Sequence, residues 1–186
     1  MSAFKYVWES RSSKSSHVLP PDTNCHGTLY GGKLMSHIDD VAALSAMKHS
    51  NCRIVTASTD SIDFLHPIKL DHEVCLEAFV TWTHKTSMEV FVKVIAEDLL
   101  SGERVVCGTS FLTFVALDQN GQPTQVPEVY PETPEEFLLY ESAPQRAAAR
   151  RIRRQESKRL AEIMGTKKFG EVDHEKRLTR GIHATV

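Results

Sequence analysis

Residues 24–40 read NCHGTLYGGKLMSHIDD, a loop that closes on Gly31-Gly32 and then a helix-like run carrying two adjacent carboxylates. The helical spacing continues to His49. At ~100° per residue, Val41, Leu34, Ser45, Ile38, Ala42, Met35 and Ala46 share one face. Asp39 borders that face beside Ala46. Asp40 lies a further ~100° round, on the polar side with Lys33, Ser36 and His37. Removing a carboxylate from water is costly, so an acid at the edge of an apolar stripe calls for a use that its solvated neighbour does not.

Around this helix the chain reads as strands. Tyr6–Trp8 and His17–Leu19 are strand-like, and Pro20-Pro21-Asp22 closes them with a turn. Ile54–Phe64 is β-rich. In Val74–Thr83 the residues Val74, Leu76, Ala78, Val80 and Trp82 alternate with mostly polar ones, so one face is buried. Met88, Val90, Val92 and Val94 alternate likewise, and Ser101-Gly102 turns the chain into the run Arg104–Leu117, a hairpin that ends at Asn120-Gly121. After Pro134 an acidic helix start leads into an Ala/Arg-rich segment that ends near Met164. The expectation is an α+β fold: a long central helix wrapped by a sheet of sequential antiparallel strands, with a C-terminal helical extension. Residues 1–127 would form the domain, 128–164 the extension and 165–186 a polar tail. One face of one helix leaves much of such a sheet bare, which predicts completion by a second copy.

Composition removes several function classes. With 186 residues, 41% hydrophobic and 25% charged, the chain suits one soluble globular domain. No apolar run approaches the ~20 residues of a membrane helix. MSAFKYVWESRSSKSS lacks an apolar signal core, which predicts a cytoplasmic protein without membrane association. Cys25, Cys52, Cys75 and Cys107 form no C-x-x-C pair, and the nine histidines show no metal-binding spacing, so neither a metal nor a cofactor is expected. Residues 146–159, RAAARRIRRQESKR, hold seven Arg and Lys against one Glu. That window suits phosphates, or the acidic run just before it. It lacks the aromatic residues that stack bases, so no nucleic-acid partner is expected.

Each candidate for chemistry has a plainer reading beside it. Gly31-Gly32 opens the helix where the first N–H groups lack intrahelical partners and can polarise a carbonyl oxygen; it also makes a tight junction. Asp39 can act as general base or nucleophile, or be a border residue solvated from its own side. Asn24 can orient a water or carbonyl, or close an Asx turn. Val55-Thr56 and Lys85-Thr86-Ser87 offer backbone and hydroxyl groups to an extended ligand, or are ordinary strand residues. No G-x-S-x-G serine is present, and Cys25 has no evident base.

Four stretches then come in order: LPPDTNCHGTLYGGKLMSHIDDVAALSAMKH, VTASTDSIDFLHPI, KTSMEVFVKV and SFLTFVALDQNGQPTQVP. Together, over roughly residues 15–127, they resemble the acyl-CoA thioesterases of the hotdog fold, in the branch of bacterial acyl-CoA hydrolases and the brain-type cytosolic hydrolase. The resemblance implies a helix wrapped by a curved antiparallel sheet, working as a dimer and commonly as a hexamer of three dimers. It implies a catalytic carboxylate at Asp39, a helper asparagine at Asn24, and a site shared between protomers. A thioester carbonyl would face the N–H groups near Gly31 or Gly32. Val55-Thr56 and Thr86-Ser87 match pantetheine-contacting edges, and Lys85 or the basic segment would meet the CoA phosphates. Two turns depart from the pattern: many relatives have Gly-Asp where this chain has Asp71-His72, and a glycine near His84.

The activity so implied is hydrolysis of fatty acyl-CoA to free fatty acid and CoA. The alternative is a non-catalytic acyl-CoA binding or sensing module. A dehydratase or hydratase on the same fold would want a catalytic histidine on the helix or its loop, and the wheel turns His37 to the polar side.

Overall fold

The computed structural model of the protein describes residues 4–166. Its central element is α1, Gly31–Ser50. Twenty residues without proline allow the helix to run unbroken, and Asn51, in the left-handed region at φ 53°, stops it with its N–H on the Met47 carbonyl. Leu34, Ile38, Val41, Ala42 and Ala46 are buried as the wheel requires.

Short β1, Phe4–Tyr6, leads through a 3-10 turn to β2, Ser12–His17. The expected strand over Tyr6–Trp8 is therefore mostly that turn, and the second strand lies before Val18-Leu19 rather than on them. After α1 come β3 (Arg53–Phe64), β4 (His72–His84), β5 (Ser87–Asp98), β6 (Arg104–Leu117), short β7 (Glu128–Tyr130) and α2 (Pro134–Met164).

Five strands form one antiparallel sheet in the order β2-β4-β5-β6-β3, while β1 and β7 pair in parallel. The strands are thus not sequential neighbours throughout. β4, β5 and β6 make a meander, but β3 crosses to its far side and pairs with β6, and β2 takes the edge beside β4. Inner-facing Val74, Leu76, Ala78, Val80, Met88, Val90, Val92, Val94, Leu112 and Phe114 pack with α1 into the core. Trp82 leaves this series. A bulge between Val80 and Trp82 inserts Thr81, reverses the alternation and leaves Trp82 half-exposed against His84.

On the other face Phe79, Phe91 and Phe111 form a ladder with centroids 5.7 and 5.1 Å apart. The start of α2 is capped by Thr133 and Glu136, and Glu136 also binds Arg11 at 2.8 Å. Arg146 stacks on Phe111 at 4.2 Å and pairs with the buried Glu89 at 2.8 Å. Residues through Ala147 belong to the first compact unit, and the chain from Ala148 forms a second. The boundary expected at residue 127 therefore lies too early: β7 pairs with β1, and the beginning of α2 is part of the same body. Residues 167–186, most of the expected tail, lie outside the described residues.

Asp71 stands at φ 64°, in the left-handed region that aspartate enters more readily than most residues with a Cβ.

Two helix histidines are buried. His49 Nε2–H donates to the Pro127 carbonyl at 2.9 Å, and burial pushes its pKa below the ordinary value. His37, expected on the polar side, is also buried because β2 lies there, with Lys14 reaching Asp40 at 2.7 Å. Burial, then Lys14 and Lys33, lower its pKa. Both rings favour the neutral form when folded, whereas the unfolded chain takes up protons near pH 6.5. Their contribution to stability is complete above that pH and is lost as pH falls through it toward the folded values. Each should add a slope of up to ~1.4 kcal/mol per pH unit. Denaturant melts from pH 8 to 5 should show this decline, and His49→Gln should reduce the slope.

Candidate active site

Asp39 is half-buried on α1, and Asp40 beside it is exposed and paired with Lys14. Thr56 on β3 donates its hydroxyl to Asp39 Oδ1 at 3.1 Å. Asp39 Oδ2 has no partner among the described residues. The carboxylate is thus held by one oxygen and open at the other. Sequence patterning placed Thr56 only as a ligand contact; that it orients Asp39 depends on a contact across 17 residues.

Asn24 sits in the loop before α1 and is committed locally. Its Oδ1 accepts from the N–H groups of His26 (2.8 Å) and Thr28 (3.3 Å), and its Nδ2 donates to Thr28 Oγ1 at 3.0 Å. This is the turn-closing geometry that competed with the functional reading, and it presents Asn24 as a fixed part of the loop.

Gly31 and Gly32 open α1 after Tyr30, and neither N–H has a partner among the described residues. Both have ordinary helical φ, so positive φ is not what demands glycine here. At Gly32 an added Cβ would lie 2.5 Å from the ring of Tyr30, an exposed side chain that is free to turn aside. Gly31 lines an open cleft of about 290 Å³ with Thr28, Leu34, Phe64 and His66.

Gly31 and Asp39 are eight positions apart on one helix, so at a rise of ~1.5 Å per residue they are separated by ~12 Å along its axis. A thioester group cannot contact both within one chain.

Ser87 on β5 pairs with Val115, which pairs with Val55 on β3, so the two expected ligand-contacting stretches share one end of the sheet. Lys85 is exposed, and the Lys85 and Thr86 carbonyls accept from Val126 and Ala116. Apolar side chains are exposed along α1 and β3: Met35, Leu44 and Met47 on the helix and Val55 and Phe64 on the strand. Met35 and Leu44 show that the apolar residues of α1 extend beyond the face its own sheet covers. Among the described residues no cluster of His, Cys, Asp and Glu suits a metal, and no helix is long and apolar enough to cross a membrane.

Residues 26–103 match the model of the Thioesterase superfamily. Over 164 residues the chain is 56% identical to YkhA of Bacillus subtilis, an uncharacterized acyl-CoA thioester hydrolase, covering 88% of this chain and 95% of that protein. The acyl-CoA hydrolase of Bacillus cereus has a TM-score of 0.85 at 49% identity, covering 88% of this chain and 99% of that one. That of Staphylococcus aureus, in complex with butyryl coenzyme A, coenzyme A and coenzyme A disulfide, has a TM-score of 0.83 at 45% identity with the same coverage. Alanine mutants of the latter at an asparagine, an aspartate and a threonine are also matched. A hexameric acyl-CoA thioesterase, 50% identical, has a TM-score of 0.79, covering 80% of this chain and 96% of that one. With the helix, the five-stranded sheet and these relatives in agreement, the chain belongs to the acyl-CoA thioester hydrolases of the thioesterase superfamily and has the hotdog fold.

Proposed function

We propose that this protein hydrolyses fatty acyl-CoA to a free fatty acid and CoA, with Asp39 as the group that activates water. The observation that carries the reading is the Asp39 carboxylate, fixed at Oδ1 by Thr56 and open at Oδ2. The open oxygen takes a proton from water as the water oxygen attacks the thioester carbonyl carbon. The N–H groups of Gly31 and Gly32 stabilise the oxyanion. The carbon–sulfur bond then breaks, the electron pair leaves with sulfur, and the CoA thiolate takes up the proton. The step uses only side chains, backbone and water, and calls for no cofactor.

Because Gly31 and Asp39 of one chain lie too far apart, the site combines Gly31, Gly32 and Asn24 of one protomer with Asp39 and Thr56 of another. The exposed apolar side chains of α1 and β3 support that pairing, and the hexameric relative supports assembly of dimers into a homohexamer. The asparagine, aspartate and threonine replaced in the Staphylococcus aureus hydrolase have the same order and separations as Asn24, Asp39 and Thr56. Val55, Thr56, Thr86 and Ser87 line the pantetheine arm, and Lys85 meets a phosphate. Unpaired cysteines suit a cytoplasmic enzyme.

The test is complementation. Asn24→Ala and Asp39→Ala proteins, each inactive in CoA release, are unfolded, mixed and refolded together. Random pairing gives half mixed dimers, each with one intact shared site, so about a quarter of wild-type activity should return. No recovery would place both residues in one protomer's site. Tight acyl-CoA binding by the wild type without CoA release would make it a binding module.

A further inference from the structure

Between Thr56 and Ser61, β3 leaves register with β6 twice. Thr56 pairs with Phe114 but Ser58 with Thr113, then Thr59 with Leu112 but Ser61 with Phe111. Ala57 and Asp60 are therefore the extra residues of two bulges. In a regular strand, residues 56 and 58 would share a face. The inserted Ala57 separates them: Thr56, opposite the core residue Phe114, reaches Asp39, while Ser58, opposite Thr113, lies on the other face.

Bulges re-aim side chains, but they also interrupt the ladder that fixes a strand. Among the described residues β3 has a partner strand on one side only. Asp60 restores the missing restraint. Its Oδ1 accepts from the Ser58 hydroxyl at 2.6 Å, and its Oδ2 accepts from the Thr113 hydroxyl on β6 at 3.0 Å. One carboxylate thus ties the residue just after the first bulge to the neighbouring strand.

The geometry points to Asp60 as a positioning residue for the reaction proposed above, a staple that holds the doubly bulged β3 so that Thr56 stays aimed at Asp39. The inference rests on that reading. It assigns Asp60 no contact with substrate. Its removal lets Thr56 and Asp39 drift, and misplacement of this kind lowers turnover more than binding.

The experiment measures CoA release by Asp60→Ala, Asp60→Asn and Thr113→Val, each alone and combined with Thr56→Val, beside melting temperature and oligomer size. Asp60→Ala should lower kcat by roughly 10- to 100-fold, with KM almost unchanged. Added to Thr56→Val it should cost almost nothing more, because both changes release the same contact. Asp60→Asn, which keeps an acceptor oxygen, should retain more activity than Asp60→Ala. Equal losses in both backgrounds, or wild-type kcat in Asp60→Ala, would overturn the inference. Should Asp60→Ala fail to fold, Asp60→Asn and Thr113→Val apply the same criterion. If Thr56→Val and Asp39→Ala leave CoA release intact, the thioesterase mechanism itself fails; if they abolish it and Asp60 proves indifferent, only the staple does.

Discussion

Asp39→Ala is expected to lower the rate of acyl-CoA hydrolysis by roughly 10²–10⁴, the contribution of a positioned general base. Melting temperature and oligomer size should change little, since the one hydrogen bond lost is to the exposed Thr56 hydroxyl. Asp39→Asn sharpens the experiment. An amide oxygen still accepts from Thr56 but cannot take a proton from water, so this variant should be as inactive as the alanine one and as stable as wild type. Were Asp39 mainly structural, Asp39→Ala would instead cost ~1.5–3 kcal/mol, the loss of a hydrogen bond to a charged group, and Asp39→Asn would remain active. Water labelled with ¹⁸O separates the two chemical roles. In a single turnover, attack by water puts the label in the fatty acid. Attack by Asp39 gives an anhydride whose hydrolysis at the aspartyl carbon leaves the label in the protein.

The residues that carry this prediction differ in how far the sequence reveals them. The helix and the division between Asp39 and Asp40 are legible because 3.6-residue periodicity is local and nothing in Gly31–Ser50 interrupts it. A helical wheel knows nothing of what packs outside it. It therefore turned His37 to solvent, where β2 in fact lies, and it enclosed Met35, which is exposed. Strand alternation failed at Trp82 for a related reason: the inserted Thr81 hydrogen-bonds to Glu89, and nothing in its neighbours marks a bulge. Strand order was out of reach, since the pairing of β3 with β6 joins residues as far apart as Arg53 and Leu117. Family resemblance supplied Asn24 and Asp39 as a pair. The Thr56 hydrogen bond to Asp39 and the Asp60 bridge needed coordinates, because each joins residues across the fold or across a bulge.

Arg146 shows how composition can mislead. It begins the basic window and reads there as one of seven cations available to phosphate. Its guanidinium is instead spent on β5 and on its own helix: Nε and Nη2 donate to Glu89 Oε1 at 3.1 and 2.8 Å, Nη2 to the Leu139 carbonyl, and Nη1 to Ser142 Oγ. Glu89 is fully buried, so Arg146→Ala would remove two charge-assisted hydrogen bonds from a carboxylate oxygen that also accepts from Thr81. Removing one partner of a buried ion pair costs about 3–5 kcal/mol, a large share of the 5–15 kcal/mol that holds a typical domain folded. Denaturant melts should therefore show Arg146→Ala clearly destabilised. Replacing both partners, Arg146→Met with Glu89→Met, should recover part of the loss, because the buried carboxylate is removed together with the guanidinium that paired with it. A cost below ~1 kcal/mol for Arg146→Ala would mean that water screens the pair as it does at a surface. The same reasoning fixes where the basic segment can be cut. Truncation before Arg146 removes an anchor of the first unit, whereas truncation after Ala147 leaves the ion pair intact. Because Arg150 is itself buried, a cut after Arg150 isolates what the cations from Arg151 onward do for CoA affinity, read as a rise in KM for acyl-CoA with kcat unchanged.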